Sequence, residues 1–221
     1  MLISSQPMSL EEMDKNEFLR QTHSSLERVR FALESHNNFK QFIRIEIDNA
    51  INHIEKNINI YNFDLTEDQI TSILIGKIEN KHLGINAYHE DFQRGHCDIT
   101  IKLYKFTWHG EAKKHTSGYK YLLKGYAQLT ERYTNGNPDS CSGGLIIYSQ
   151  NSDCKKMMTA WYEYLQKWAP EIHKAGQAKL VFCKNNPLVF YSTHQHTVSG
   201  LPYEVTHFAV NFHFDPVDRK L

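Results

Sequence analysis

Asp98, Glu111 and Lys113 are the residues of this chain whose types and spacing suit hydrolytic chemistry. Glu111-Ala112-Lys113 reads as the end of a strand. Side chains alternate across a strand, so Glu111 and Lys113 project from one face, roughly 7 Å apart at Cα. Ala112 then points to the opposite face, with its carbonyl free to turn toward a metal. Asp98 opens the preceding strand. A tight hairpin turning at Tyr104-Lys105 sets Asp98 directly across from Glu111, with Cβ atoms about 5 Å apart. Two bare carboxylates held that close repel strongly, and a divalent cation between them relieves the repulsion. Hard oxygen ligands of this kind hold Mg2+ or Mn2+, which polarises a phosphoryl oxygen and makes a nucleophile of a bound water. A lysine beside them neutralises developing charge and helps to orient or deprotonate that water. The chemistry that fits is phosphodiester hydrolysis. Because Tyr-Lys is not a favoured hairpin pair, the expectation leans most heavily on the register of this turn.

The elements that must position these residues can be read along the chain. The first sixty residues carry apolar side chains at mostly three- and four-residue steps, from Phe18 to Ile54, with a break near His36-Asn37-Asn38 that divides two helices. Ser9-Leu-Glu-Glu has the form of a capping box. A third helix begins at Thr66, three residues before Gln69, with Glu67 and Asp68 in its first turn, and ends near Gly84. Asp98 to Tyr104 alternates with period two, and Phe106 to Lys113 follows as a second strand. A helix from about Ser117 to Tyr133 comes next, then a loop at Asn135–Asp139. Gly144 to Tyr148 forms a continuous apolar run suited to a strand buried on both faces. Residues 154–169 return to helix, and strands follow at 179–183, 188–194 and 204–214. This order predicts an α/β fold, a mixed central β-sheet flanked by helices. Residues 1–62 form an N-terminal helical extension, and 63–221 form the domain that carries the site.

With Asp98, then Glu111-x-Lys113 after a short hairpin, then a helix and a buried strand, the chain resembles the PD-(D/E)XK nuclease superfamily over roughly residues 65 to 170. The resemblance implies a restriction-endonuclease-like fold and a Mg2+- or Mn2+-dependent endonuclease. It also implies metal ligation by Asp98, Glu111 and the Ala112 carbonyl, with Lys113 assisting the water. Many members carry a glutamate on the helix before the hairpin, and Glu67 fits that place by its distance from Asp98, in preference to Glu79. Some members place a Gln with a Tyr on the following helix, and Tyr126-Ala-Gln128 looks similar. In this chain Cys97, not proline, precedes Asp98, a position that varies in the family. By analogy of family, a compact member with a helical extension suits anti-phage defence.

Charge adds a local argument. Lys+Arg and Asp+Glu stand at 25 each, so the whole chain has no net charge to attract nucleic acid. Between Ile101 and Lys124, however, there are six lysines and one acid, Glu111. Lys114, Lys120 and Lys124 are therefore expected substrate contacts, and the resemblance adds Gln128 and favours DNA over RNA. The alternative is a non-catalytic nucleic-acid-binding or scaffold subunit that keeps the fold. The N-terminal helices are the place for a homo-oligomer contact or a regulatory protein.

Other features exclude more than they assign. The four cysteines are scattered without a CxxC pair, which argues against structural zinc and a disulfide framework. The start lacks a basic, then apolar, leader, and no apolar run reaches the roughly 18–20 residues that span a bilayer, so a cytoplasmic protein is expected. Among thirteen histidines, His194 and His196 share one strand face, and His207 lies with His213 on another. They are expected on wet faces rather than around zinc. Asp139-Ser-Cys-Ser-Gly-Gly resembles a serine-protease loop only superficially, because the chain is too helical for that scaffold.

Overall fold

The computed structural model describes residues 15–92, 96–173 and 178–215, together with Ser9 and Glu11; Glu12, the second partner of the capping box expected at Ser9, lies outside the described residues. Helix α1 (Glu17–Glu34) is capped by Asn16, and α2 (His36–Lys56) by Ser35. Ser35 is the break between them. Its backbone is extended, and its hydroxyl accepts the Asn38 amide at 3.1 Å. Helix α3 (Glu67–Ile78) opens with both bonds of the expected capping box, Gln69 N–H to Thr66 Oγ1 at 3.2 Å and Thr66 N–H to Gln69 Oε1 at 2.8 Å.

The strands are β1 (Ile85–Phe92), β2 (His96–Leu103), β3 (Phe106–His115), β4 (Ser142–Ser149), β5 (Lys179–Phe182), β6 (Val189–Gln195) and β7 (Pro202–Asn211). Helix α4 (Lys120–Gln128), prolonged by a π-helical turn at Leu129–Tyr133, connects β3 to β4, and α5 (Cys154–Ile172) follows β4. Strand β1 has no counterpart in the sequence reading, which passes from Gly84 to Asp98 without one.

All seven strands form one mixed sheet in the order β1-β2-β3-β4-β7-β6-β5. Only the β3–β4 and β4–β7 pairs are parallel. β4 runs through the middle with all eight residues buried, as a strand covered on both faces should. The β2–β3 hairpin pairs Leu103 with Phe106 and continues to Ile99 with Gly110, the register expected from a turn at Tyr104-Lys105. Tyr104 adopts φ 55° there, in the left-handed region that favours glycine, and its side chain is exposed.

Helices cover both faces. On one, Phe39, Ile43 and Ile47 of α2 and Ile70 and Leu74 of α3 pack on Ile99, Trp108, Ile146 and Phe208. α2 buries seven side chains in this core, whereas α1 buries only Val29 and Ala32 and leaves Phe18, Leu26 and Phe31 exposed. On the other face, Leu122 and Tyr126 of α4 and Met158 and Trp161 of α5 pack on Leu145, Ile147, Phe190 and Val205.

His194, His196 and His207 correct the expectation of wet strand faces, because all three are buried. His207 lies against Trp161 of α5, His194 against His173, and His196, beyond the end of β6, against Ser199 and Tyr203; His213, past the end of β7, is exposed. His207 Nδ1 accepts the Trp161 indole N–H at 3.2 Å, and its Nε2 is 2.9 Å from Ser192 Oγ. His173 stacks on His194 with ring centres 3.8 Å apart and bonds the Tyr126 hydroxyl at 2.8 Å. Burial pushes His194 and His207 down to about 3 and His173 to about 4. No helix among the described residues is long and apolar enough to cross a membrane.

Candidate active site

The site forms where β2 stops pairing with β3. The last β2–β3 pair is Ile99 with Gly110, while β3 goes on beside β4 as far as His115. The edge of β3 beyond Gly110 therefore loses its ladder partner, and its amides need acceptors. Two carboxylates supply them. Asp98 Oδ2 accepts the Ala112 N–H at 3.0 Å, and Glu67 Oε2 accepts the Lys114 N–H at 2.6 Å. Glu67 reaches this edge from the first turn of α3, where the helix dipole favours an acid. Glu79, at the other end of α3, pairs instead with Lys81 at 3.5 Å.

Lys113 Nζ lies in the notch so made. It is 2.6 Å from Glu111 Oε1, 3.3 Å from Asp98 Oδ2, 3.3 Å from Glu67 Oε1 and 2.8 Å from the Ala112 carbonyl oxygen. One cation position is thus bounded by three carboxylates and a carbonyl. Asp98 and Glu67 keep about a quarter of their side chains exposed, whereas Glu111 and Lys113 are almost wholly buried. Ala112 packs into the opposite core, as the alternation of the strand requires.

Burial pushes the Glu111 carboxyl up to about 7, against the pull of the Lys113 ammonium and with the repulsion of Asp98 behind it. Burial lowers the pKa of Lys113, but Glu111, Asp98 and Glu67 together outweigh it and hold the ammonium protonated beyond the ordinary lysine range. Glu111 Oε2 is buried without a hydrogen bond of regular geometry, and the Tyr133 hydroxyl is the group that stands beside this carboxylate to serve it.

Helix α4 closes the site. Gly125 faces it so tightly that a Cβ there would lie 3.0 Å from Lys113 Cγ and 3.2 Å from Glu111 Cγ. The Tyr121 hydroxyl donates to Glu67 Oε1 at 3.2 Å, and its ring centre is 5.4 Å from Lys113 Nζ. Tyr133, buried beside the Glu111 carboxylate, has its phenol pushed up, by burial first and that charge second. Gly125 carries no signal of its own in the sequence, whereas Tyr121 and Tyr133 stand out there, with Tyr119 and Tyr126, as aromatics interleaved with the lysine-rich stretch and open to stacking on bases. Spacing alone offers one signal, that positions 121 and 125 stand one helical turn apart on the face toward β3.

Lys114 is directed elsewhere. Its ammonium bonds the carbonyls of Phe63 and Leu65 and lies over the Phe63 ring, tying down the segment that leads into α3. Lys120 and Lys124 are exposed along α4, and Gln128 ends it, half-buried. Tyr126 is fully buried, with its ring against His173.

Magnesium binds oxygen at about 2.1 Å. The oxygens here stand at hydrogen-bond distance from an ammonium, and among the described residues no group of three or more His, Cys, Asp or Glu side chains could hold a metal ion as they stand. Asp98 Oδ2, Glu111 Oε1 and Glu67 Oε1 are hard donors of the type Mg2+ prefers, but the point within 3.3 Å of all three is filled by the Lys113 ammonium. No family model matches this chain, and no curated protein or solved structure matches it either.

Proposed function

We propose that the chain is a metal-dependent nuclease of the PD-(D/E)XK type, acting on DNA. The observation that carries this reading is the single cation position bounded by Glu67, Asp98, Glu111 and the Ala112 carbonyl at the fork between β2 and β3. Asp98, Glu111 and the Ala112 carbonyl would hold Mg2+ or Mn2+ once the Lys113 ammonium, which now stands between them, swings aside toward Glu67. Bound there, the ion would polarise a phosphoryl oxygen and acidify a water.

The chain's own residues account for the remainder. Lys113, held as an ammonium, suits neutralising charge on a phosphoryl group and orienting a water through its N–H donors, more than it suits taking a proton. Glu67 fixes the position of Lys113 while its second oxygen holds α3 on β3. Gly125 lets α4 close over the lysine stem and exclude water from that side. Lys120 and Lys124 offer positive charge to the backbone of the substrate.

Purified protein incubated with plasmid and Mn2+ tests the reading, beside Asp98→Ala and Lys113→Ala. The wild type is expected to cut, with each variant slower by about 100-fold or more, the size of loss seen when one electrostatic contact to a transition state is removed. A wild type that leaves DNA and RNA intact with every divalent ion, or variants that cut equally well, would overturn it.

A further inference from the structure

An apolar groove runs along the outer side of α4, immediately beside the site. It is shallow and open to solvent, with about 620 Å³ of space over Lys120, Tyr121, Leu123, Lys124, Ala127 and Ile172. Lys120, Leu123, Lys124 and Ala127 follow the spacing of a single helix stripe. The opposite stripe, Leu122, Gly125 and Tyr126, is the one buried against the sheet. Tyr121 joins the groove to the acids, with 47% of its surface exposed and its hydroxyl on Glu67. Neither Lys120 nor Lys124 pairs with a carboxylate among the described residues.

An apolar floor with an aromatic wall is a poor seat for a duplex, which covers its base faces and presents phosphates and hydrated edges. A single strand presents those base faces, and base–aromatic stacking between flanking lysines is how such strands are held without regard to sequence. We infer that this groove takes an unstacked base of a single-stranded nucleic acid, on Tyr121 and Leu123, with Lys120 and Lys124 on its phosphates. The inference rests on the nuclease reading for one point only, that the strand then leads its backbone past Lys113.

Fluorescence anisotropy with labelled oligothymidylate, oligouridylate and a mixed-sequence DNA duplex of matched length tests it, in EDTA and at one ionic strength. At least one single strand is expected to bind about tenfold tighter than the duplex. The two single strands distinguish DNA from RNA as the source of the base. Leu123→Ser should weaken single-strand binding several-fold and leave duplex binding unchanged. The exposed double reversal Lys120→Glu/Lys124→Glu should abolish single-strand binding, and it serves where Leu123→Ser fails to fold. A duplex that binds as tightly as both single strands, or folded groove variants that bind them like wild type, overturns the inference. Mn2+-dependent cleavage by the same preparations separates the two readings. Cleavage without single-strand preference removes the groove and leaves the nuclease. Single-strand preference without cleavage removes the nuclease and leaves the groove as a nucleic-acid contact.

Discussion

Three carboxylates gathered round one point repel one another, by about 4 kcal/mol for a pair at 4 Å and an effective dielectric of 20. Lys113 balances them from within the chain. The residues that do this were legible in sequence less from their types, since an Asp followed by Glu-x-Lys is common in any charged chain, than from the strand, strand, helix and buried strand that carry them. Their distances were not, because those depend on how the β3 edge is satisfied by Asp98 and Glu67. Replacing the lysine exposes the underlying preference for a cation. Lys113→Met should melt several degrees below wild type at pH 8 without metal. Saturating Mn2+ should then raise its Tm more than it raises that of wild type. A ligand near 100 times its Kd adds about 2.7 kcal/mol, which is roughly 5–10 °C for a chain of this size. Scanning fluorimetry in which Mn2+ shifts Lys113→Met no more than wild type would count against a cation position here.

Elements were read with uneven success, for identifiable reasons. The α3 capping box and the β2–β3 register came through because each is set by a few adjacent residues. β1 did not, because it is an edge strand whose run Ile85-Asn-Ala-Tyr-His-Glu-Asp-Phe mixes polar and apolar side chains without clean alternation. Gly125 did not either. A glycine inside a helix reads as a weak position until the strand beneath it is known. The two N-terminal helices also differ in a way periodicity hides, since α2 is part of the sheet's core and α1 is nearly peripheral to it. A chain beginning at Ser35 should therefore keep a cooperative melt by circular dichroism. A chain beginning at Asn57 loses Phe39, Phe42, Ile43, Ile47, Ile51 and Ile54 from the core. At about 1.5–3 kcal/mol for each large apolar side chain, that loss rivals the whole stability of a domain, so no cooperative melt should remain. A shorter chain that still melts cooperatively would mean the sheet stands without α2.

At the scale of the molecule the two faces of the sheet differ in chemistry. One is hydrocarbon, under α2 and α3; the other, under α4 and α5, holds His173, His194 and His207 uncharged. Their folded pKa values, about 3 to 4, lie below the ordinary histidine value near 6.5. The unfolded chain therefore takes up protons first. Stability from these groups is fully present above pH 6.5 and falls as the pH drops toward 4 and 3. Glu111 and Glu55, both raised by burial, work in the opposite direction in the acid range, but they are fewer. The urea midpoint should thus fall between pH 7 and 5, as the histidine contribution shrinks by more than Glu111 returns over the same range. A flat midpoint across that range would show that the folded protein admits those protons.

The fork in the β2–β3 ladder has a consequence for how such a chain can change over generations. Strand pairing shifts by whole residues, and each single shift turns every side chain to the other face. One residue inserted inside β2 or β3 between Asp98 and Glu111 would turn Asp98 out of the notch, away from Lys113, unless a bulge absorbed it, whereas one inserted at the Tyr104-Lys105 turn would only lengthen the loop. Substitutions around the notch can accumulate gradually. Its spacing along the two strands is inherited whole or lost, while the turn between them is free to grow.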